Sequence, residues 1–121
     1  MNAFKYIDDI LHCEGVDLSV LEEKHGTPSY VYSKKTIEEN AKAYVNSFTN
    51  TRNLACFAVK SLSNLSILKI IKDAGCGFDI VSGGELHRVL SIGADPKKVI
   101  FSGVGKTKGE IQQAINSSIL S

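Results

Sequence analysis

The sequence has almost no charge excess: 14 Lys and Arg stand against 13 Asp and Glu, for a net charge of +1. That balance gives no electrostatic footing for nucleic acid or for an anionic membrane surface. The chain also lacks any apolar run approaching the length of a membrane span. Its N-terminus, Met1-Asn2-Ala3-Phe4-Lys5-Tyr6-Ile7-Asp8-Asp9, has acidic residues where a secretory signal needs an apolar core, so a cytoplasmic location is expected. Cysteines are few and odd in number: Cys13, Cys56 and Cys76 cannot all pair, and they lack metal-ligand spacing. Cys56 and Cys76 lie in apolar surroundings and are expected to be buried thiols. His12, His25 and His87 show no ligand spacing either, so no metal site is expected, and His87 is expected on a helix surface. There is no nucleophile elbow, and no catalytic triad can be argued.

What is present is a globular composition, 43% hydrophobic and 22% charged, which excludes a disordered chain. Its 121 residues suffice for one ordinary domain with a modest core. Within it, apolar strand candidates recur at 54–60, 77–82 and 98–103, each followed by a helical pattern. Ile67, Ile70, Ile71 and Ala74 share one helix face, as do Leu86, Val89 and Leu90, and then Ile111, Ala114, Ile115 and Ile119. Ser82 with Glu85, and Thr107 with Glu110, have capping-box spacing. Gly75 and Gly93 fit the left-handed position after a helix, and Pro96 follows Gly93 at a suitable distance. Serial strand–helix units predict a parallel sheet with right-handed crossovers. An earlier helix is predicted over about 33–48, with Ile37, Ala41, Tyr44, Val45 and Phe48 on one face. Before it, Asp17 is placed to cap a short helix reaching Glu23, closed by Gly26 and Pro28, and Ser29-Tyr30-Val31-Tyr32 reads as a short strand. Residues 1–32 thus differ in kind from the repeating part, 33–121. Three βα units cannot close an eight-stranded barrel, which needs about 250 residues. The chain is therefore expected to be the N-terminal part of a larger protein. The alternative is a small open sheet with exposed apolar edges.

Ligands of parallel α/β folds bind at the carboxyl ends of strands. Lys60 ends the first apolar run, Leu54-Ala55-Cys56-Phe57-Ala58-Val59-Lys60. An ammonium at an apolar rim is well placed to become a reactive amine, because desolvation favours the neutral form, which can condense with an aldehyde. Its plain alternative is a solvated lysine at a strand end. Asp79 sits inside the second run, where a carboxylate needs a partner, and Lys60 is the candidate. Ser82 and Glu85 are accounted for as caps. Gly83 and Gly84 would let an anion approach a helix N-terminus, or serve tight strand–helix packing. Gly103-Val104-Gly105-Lys106-Thr107 looks like a phosphate loop but lacks the G-x-x-x-x-G-K-[ST] spacing, so a nucleoside triphosphate site is rejected. Lys106 is expected to be a solvated loop lysine.

Four ordered stretches together resemble the N-terminal portion of the diaminopimelate decarboxylase family. They are Gly26-Thr27-Pro28-Ser29-Tyr30-Val31-Tyr32, Phe57-Ala58-Val59-Lys60-Ser61-Leu62-Ser63-Asn64, Gly77-Phe78-Asp79-Ile80-Val81-Ser82-Gly83-Gly84-Glu85-Leu86, and Val99-Ile100-Phe101-Ser102-Gly103-Val104-Gly105-Lys106-Thr107 with Glu110-Ile111. The resemblance covers roughly residues 17–121. It implies an α/β fold, the N-terminal part of a TIM-like (β/α)8 barrel that binds pyridoxal 5′-phosphate, with about three βα units and no closure within this chain. It implies that Lys60 is the lysine bonded to the cofactor, that Asp79 lies near both, and that Ser82, Gly83 and Glu85 shape the adjoining wall. The implied full enzyme converts meso-diaminopimelate to L-lysine as a homodimer acting on a small amino-acid substrate. Residues 1–32 are implied to pack on a C-terminal β-domain, and 33–121 to open the barrel. Ser61-Leu62 departs from the family, which has a small residue followed by Asn there. The family's glycine-rich phosphate loop, the acidic partner of the ring nitrogen and the cysteine-bearing segment lie further along and have no counterpart here. Alternatives are a related ornithine, lysine or arginine decarboxylase of the same fold, or a non-catalytic truncated α/β module. Alanine racemase fits less well, because its lysine precedes Ala-Tyr-Gly-His and Lys60 precedes Ser-Leu-Ser-Asn.

Overall fold

The computed structural model describes residues 3–48 and 50–121. The first two residues of the predicted leader lie outside them. The leader opens with a three-stranded antiparallel meander that the sequence reading missed: β1 (Phe4–Ile7), β2 (Ile10–Cys13) and the short β3 (Val16–Asp17). Ile7 pairs with Ile10 and Cys13 with Val16, so both connections are two-residue loops. Asp8 and Asp9 sit at φ 50° and 62°, and Glu14 and Gly15 at φ 53° and 84°. Positive φ at both central residues gives the turn twist that suits a tight hairpin.

Helix α1 (Leu18–His25) follows, with Asp17 accepting the Ser19 N–H at its start and Gly26 at its end. Both boundaries match the sequence reading. Residues 29–33 form no strand. Tyr30 is left 92% exposed. Helix α2 (Lys34–Asn46) is capped by Ser33, whose hydroxyl accepts the Thr36 N–H. Glu14 reaches across from the meander, accepting the Ser33 hydroxyl and the Lys35 N–H at 2.8 Å, and so ties the leader to α2. These bonds hold the Glu14 carboxyl below its ordinary value.

The repeating part is a parallel sheet in the order β4 (Cys56–Ala58), β5 (Gly77–Ile80), β6 (Val99–Phe101). Each strand is shorter than its apolar run. The first run breaks into a 3₁₀ turn at Val59–Ser61, so Lys60 stands in that turn and not in the strand. Helices α3 (Leu65–Asp73), α4 (Gly83–Ser91) and α5 (Lys108–Asn116) follow their strands. Gly75 at φ 99° and Gly93 at φ 72° end α3 and α4 as expected. Phe78, Ile80 and Val99 pack with Leu68, Leu86 and Val89 into one core between sheet and helices. The face of α5 is different: Ala114 is buried, but Ile111 and Ile115 are exposed. Leu120 donates to Val99 O at 3.0 Å and Phe101 donates to Ser121 O at 2.7 Å, so the chain's last residues lie along the β6 edge. The parallel sheet is not closed. Among the described residues, no helix is long and apolar enough to cross a membrane.

Candidate functional site

Alternation along β5 decides which side chains face away from the core. Phe78 and Ile80 enter it, so Gly77 and Asp79 point to the opposite face of the sheet. The parallel register sets Ala58, Asp79 and Ile100 side by side, and Cys56 beside Gly77. Cys56, Ala58, Asp79 and Ile100 on this second face are half-buried. Gly77 is required by close approach: a Cβ there would lie 2.3 Å from Lys98 O and 3.1 Å from Cys56 Sγ. Cys56 is half-buried where full burial was expected, while Cys76 is buried. Burial pushes the Cys56 thiol up, and the neighbouring Asp79 charge and Cys76 add to it.

Asp79 is the anomaly on that face. Its Oδ1 is buried and has no hydrogen-bond partner. The expected ion pair with Lys60 is not formed; among the described residues no salt bridge includes either group. The reason is local. Val59, fully buried, turns the chain out of the strand, and Lys60 follows on the exposed side of the 3₁₀ turn. The turn itself is well fixed. The Ser61 hydroxyl donates to Ala58 O at 2.7 Å, and Leu62 N–H donates to Val59 O at 3.1 Å. Arg88 on α4 donates to Ser63 O at 3.2 Å, and Asn64 caps α3 by accepting from Ser66 and Ile67. Sequence reading missed both of these last contacts, although an Asn just before an apolar helical run is a recognisable cap.

The rim continues through the ends of β5 and β6. Ser82 Oγ accepts the Glu85 N–H at 3.2 Å, as its spacing predicted. The Glu85 carboxylate accepts from Val81 N–H at 2.7 Å, one residue before the cap. Gly83 N–H donates to Glu110 Oε1 at 2.9 Å. Thr107 and Glu110 form the complete capping box. Lys106 is not a solvated loop lysine. It donates to Gly103 O at 2.6 Å and to Ser102 O at 3.2 Å, and its ammonium lies 5.2 Å from the Phe101 ring centre. The fold therefore brings Lys60, Asp79, Ser82 and Gly83 to the carboxyl end of one parallel sheet, on or beside its second face. An exposed amine without an ion pair among the described residues, and on the neighbouring strand a buried carboxylate oxygen without a donor, suit a cofactor that brings an aldehyde and a hydrogen-bond donor of its own.

The sequence pattern of the family described as "Pyridoxal-dependent decarboxylase, pyridoxal binding domain" matches residues 34–120. Diaminopimelate decarboxylase of Pseudomonas aeruginosa is 49% identical over 119 residues, covering 98% of this chain and 29% of its own. A crystal structure of a protein from Aquifex aeolicus superposes with a TM-score of 0.91 at 42% identity, covering 98% of this chain and 29% of that one. The crystal structure of diaminopimelate decarboxylase from M. jannaschii in complex with L-lysine gives a TM-score of 0.87 at 33% identity, over 98% and 29% of the two chains. The chain thus spans about 29% of the length of the relatives it matches.

Proposed function

The chain belongs to the pyridoxal-dependent decarboxylases through their pyridoxal binding domain, and from that premise we propose that it forms one wall of the cofactor site in an enzyme that decarboxylates meso-diaminopimelate to L-lysine. Its three βα units are the N-terminal part of the α/β barrel of such decarboxylases. The observation that carries the site assignment is the donorless, buried Oδ1 of Asp79 in the strand next to the one that leads into the exposed Lys60 turn. The diaminopimelate substrate rests on the near-half identity with the Pseudomonas aeruginosa enzyme.

In this reading Lys60 would hold pyridoxal phosphate through its side-chain amine. Bound there, the cofactor supplies an electron sink for the carbanion left when carbon dioxide departs. Asp79 accepts a hydrogen bond from a donor on the lysine or the cofactor, which satisfies its buried oxygen. Val59 and Ser61 keep the Lys60 turn from drifting, so that the amine stays at the rim. Ser82 and Gly83 form the adjoining wall, with Glu85 holding its backbone. The groups that grip the phosphate, the ring nitrogen and the substrate are supplied by segments outside these 121 residues. Residues 1–32 pack against a separate β-domain, residues 33–121 open the barrel, and the whole enzyme is a cytoplasmic homodimer.

Borohydride reduction of the intact protein loaded with pyridoxal phosphate, followed by peptide mass analysis, tests the lysine. The cofactor mass is expected on the peptide containing Lys60, and its appearance on another lysine, or on none, would sink the assignment. Carbon dioxide release from meso-diaminopimelate, compared with ornithine and lysine, tests the substrate.

A further inference from the structure

We infer that Glu110 is a positioning residue for the cofactor wall, its one carboxylate locking the start of α4 to the start of α5 and so fixing the loop that follows Asp79. The inference rests on the reading of that wall as part of the pyridoxal phosphate site. Glu110 Oε2 accepts from the Thr107 N–H and the Thr107 hydroxyl, both at 2.9 Å, which completes the cap of its own helix. A cap needs nothing more from it. Yet Oε1 crosses 27 positions of sequence to accept the N–H of Gly83, the first residue of α4, at 2.9 Å.

The approach is close as well as polar. A Cβ on Gly83 would lie 2.9 Å from Gln113 Oε1 and 3.2 Å from Glu110 Cγ, both on α5. Gly83 thus lies against the side chains of α5, and its N–H is already taken. The flanking groups are committed in the same way, Val81 N–H to Glu85 and Glu85 N–H to Ser82. Three donors hold the Glu110 carboxyl below its ordinary value, the Thr107 and Gly83 N–H groups first and the Thr107 hydroxyl next. The first N–H of α4 therefore faces an internal anion, the Glu110 carboxylate. What this arrangement does is present Asp79 to Ser82 on a wall whose helix cannot slide against its neighbour.

Hydrogen–deuterium exchange of the intact protein without cofactor reads this lock directly, on the peptides spanning 81–86 and 106–112. Glu110→Ala removes both ends of the bridge and is expected to speed exchange in both. Glu110→Gln keeps one acceptor oxygen and so one end only, and its loosening is expected to be smaller. Loss of a helix-start carboxylate is worth roughly threefold to tenfold in local opening. Equilibrium binding of pyridoxal phosphate is expected to weaken by a similar factor in Glu110→Ala, with Glu110→Gln in between. Unchanged exchange over 81–86 in Glu110→Ala overturns the lock. Loosened exchange with unchanged cofactor affinity overturns the positioning role. If the parent protein takes up no pyridoxal phosphate, the cofactor reading falls, while the exchange peptides still decide whether Glu110 joins the two helices.

Discussion

Asp79 is the residue at which folding and function pull apart. A buried oxygen without a donor costs about 1–3 kcal/mol, and Asp79 Oδ1 is such an oxygen. Asp79→Ala is therefore expected to leave the melting temperature of the cofactor-free protein unchanged or raise it, while weakening pyridoxal phosphate binding by about tenfold or more. A lower melting temperature with unaltered binding would make Asp79 a structural carboxylate. Lys60 carries the complementary expectation. It is exposed and makes no side-chain hydrogen bond or ion pair among the described residues, so Lys60→Ala should change stability by no more than about 0.5 kcal/mol and abolish covalent capture of the cofactor. Calorimetry and borohydride trapping on the same sample separate the two effects. Both residues stand out in the sequence, since a lysine closing an apolar run and a carboxylate inside one each violate the local pattern. Their relation was not readable. The 3₁₀ turn set by buried Val59 moves Lys60 off the strand, and no propensity argument foretells a turn that tertiary burial imposes.

Among the elements, the helices and their ends were well foretold because caps act over three or four residues. Asp17 and Thr107 each do at a helix start what their spacing implies, while Ser82 makes its half of the expected capping box and Glu85 turns to Val81 N–H. The meander escaped because its signals, Asp8-Asp9 and Glu14-Gly15, are weak turn pairs between very short apolar runs. The reverse error at residues 29–32 arises because β propensity is decided by tertiary context more than by the local run. Long-range ties also lie outside sequence reading, and two of them are carboxylates at helix starts, Glu14 on α2 and Glu110 on α4. Both have folded-state pKa values below the ordinary 4.5. A lowered value means that the stabilisation is complete above about pH 4.5 and is lost as pH falls through the folded-state values. Asp17, Glu38 and Asp73, also lowered, add to the same slope. Denaturant midpoints should thus fall steeply below about pH 4.5. The double variant Glu14→Gln with Glu110→Gln should start lower at neutral pH and lose less on acidification. An identical acid slope in the two proteins would remove these carboxylates from the account. Gly77→Ala tests strand packing separately, since its methyl meets Lys98 O. A loss of about 1–3 kcal/mol is expected, and a neutral effect would show that β5 and β6 can part without cost.

At the scale of the whole molecule, an open three-stranded parallel sheet is an unfinished layer. Parallel sheets are ordinarily covered on both faces and closed or protected at their edges. Here the β4 edge opens into a groove lined by Tyr44, Ala55 and Phe57, and beside the β6 edge Ile111 and Ile115 stand exposed. The conclusion that the sheet needs more structure around it was available from sequence, because three βα repeats fall short of a barrel. Which apolar faces stay bare was not, since helical periodicity marks a face without saying what covers it. These 121 residues alone are expected to associate with themselves in a concentration-dependent way, through the bare groove and edges, and to release no carbon dioxide from meso-diaminopimelate. Light scattering across a dilution series checks the first, and Tyr44→Glu, which puts a charge on the groove rim without touching the buried core, should reduce it. A sample that remains monomeric throughout would show that the exposed face is tolerated. Turnover by the pure 121-residue chain would show that Lys60 and its wall suffice without the groups that grip phosphate and ring nitrogen.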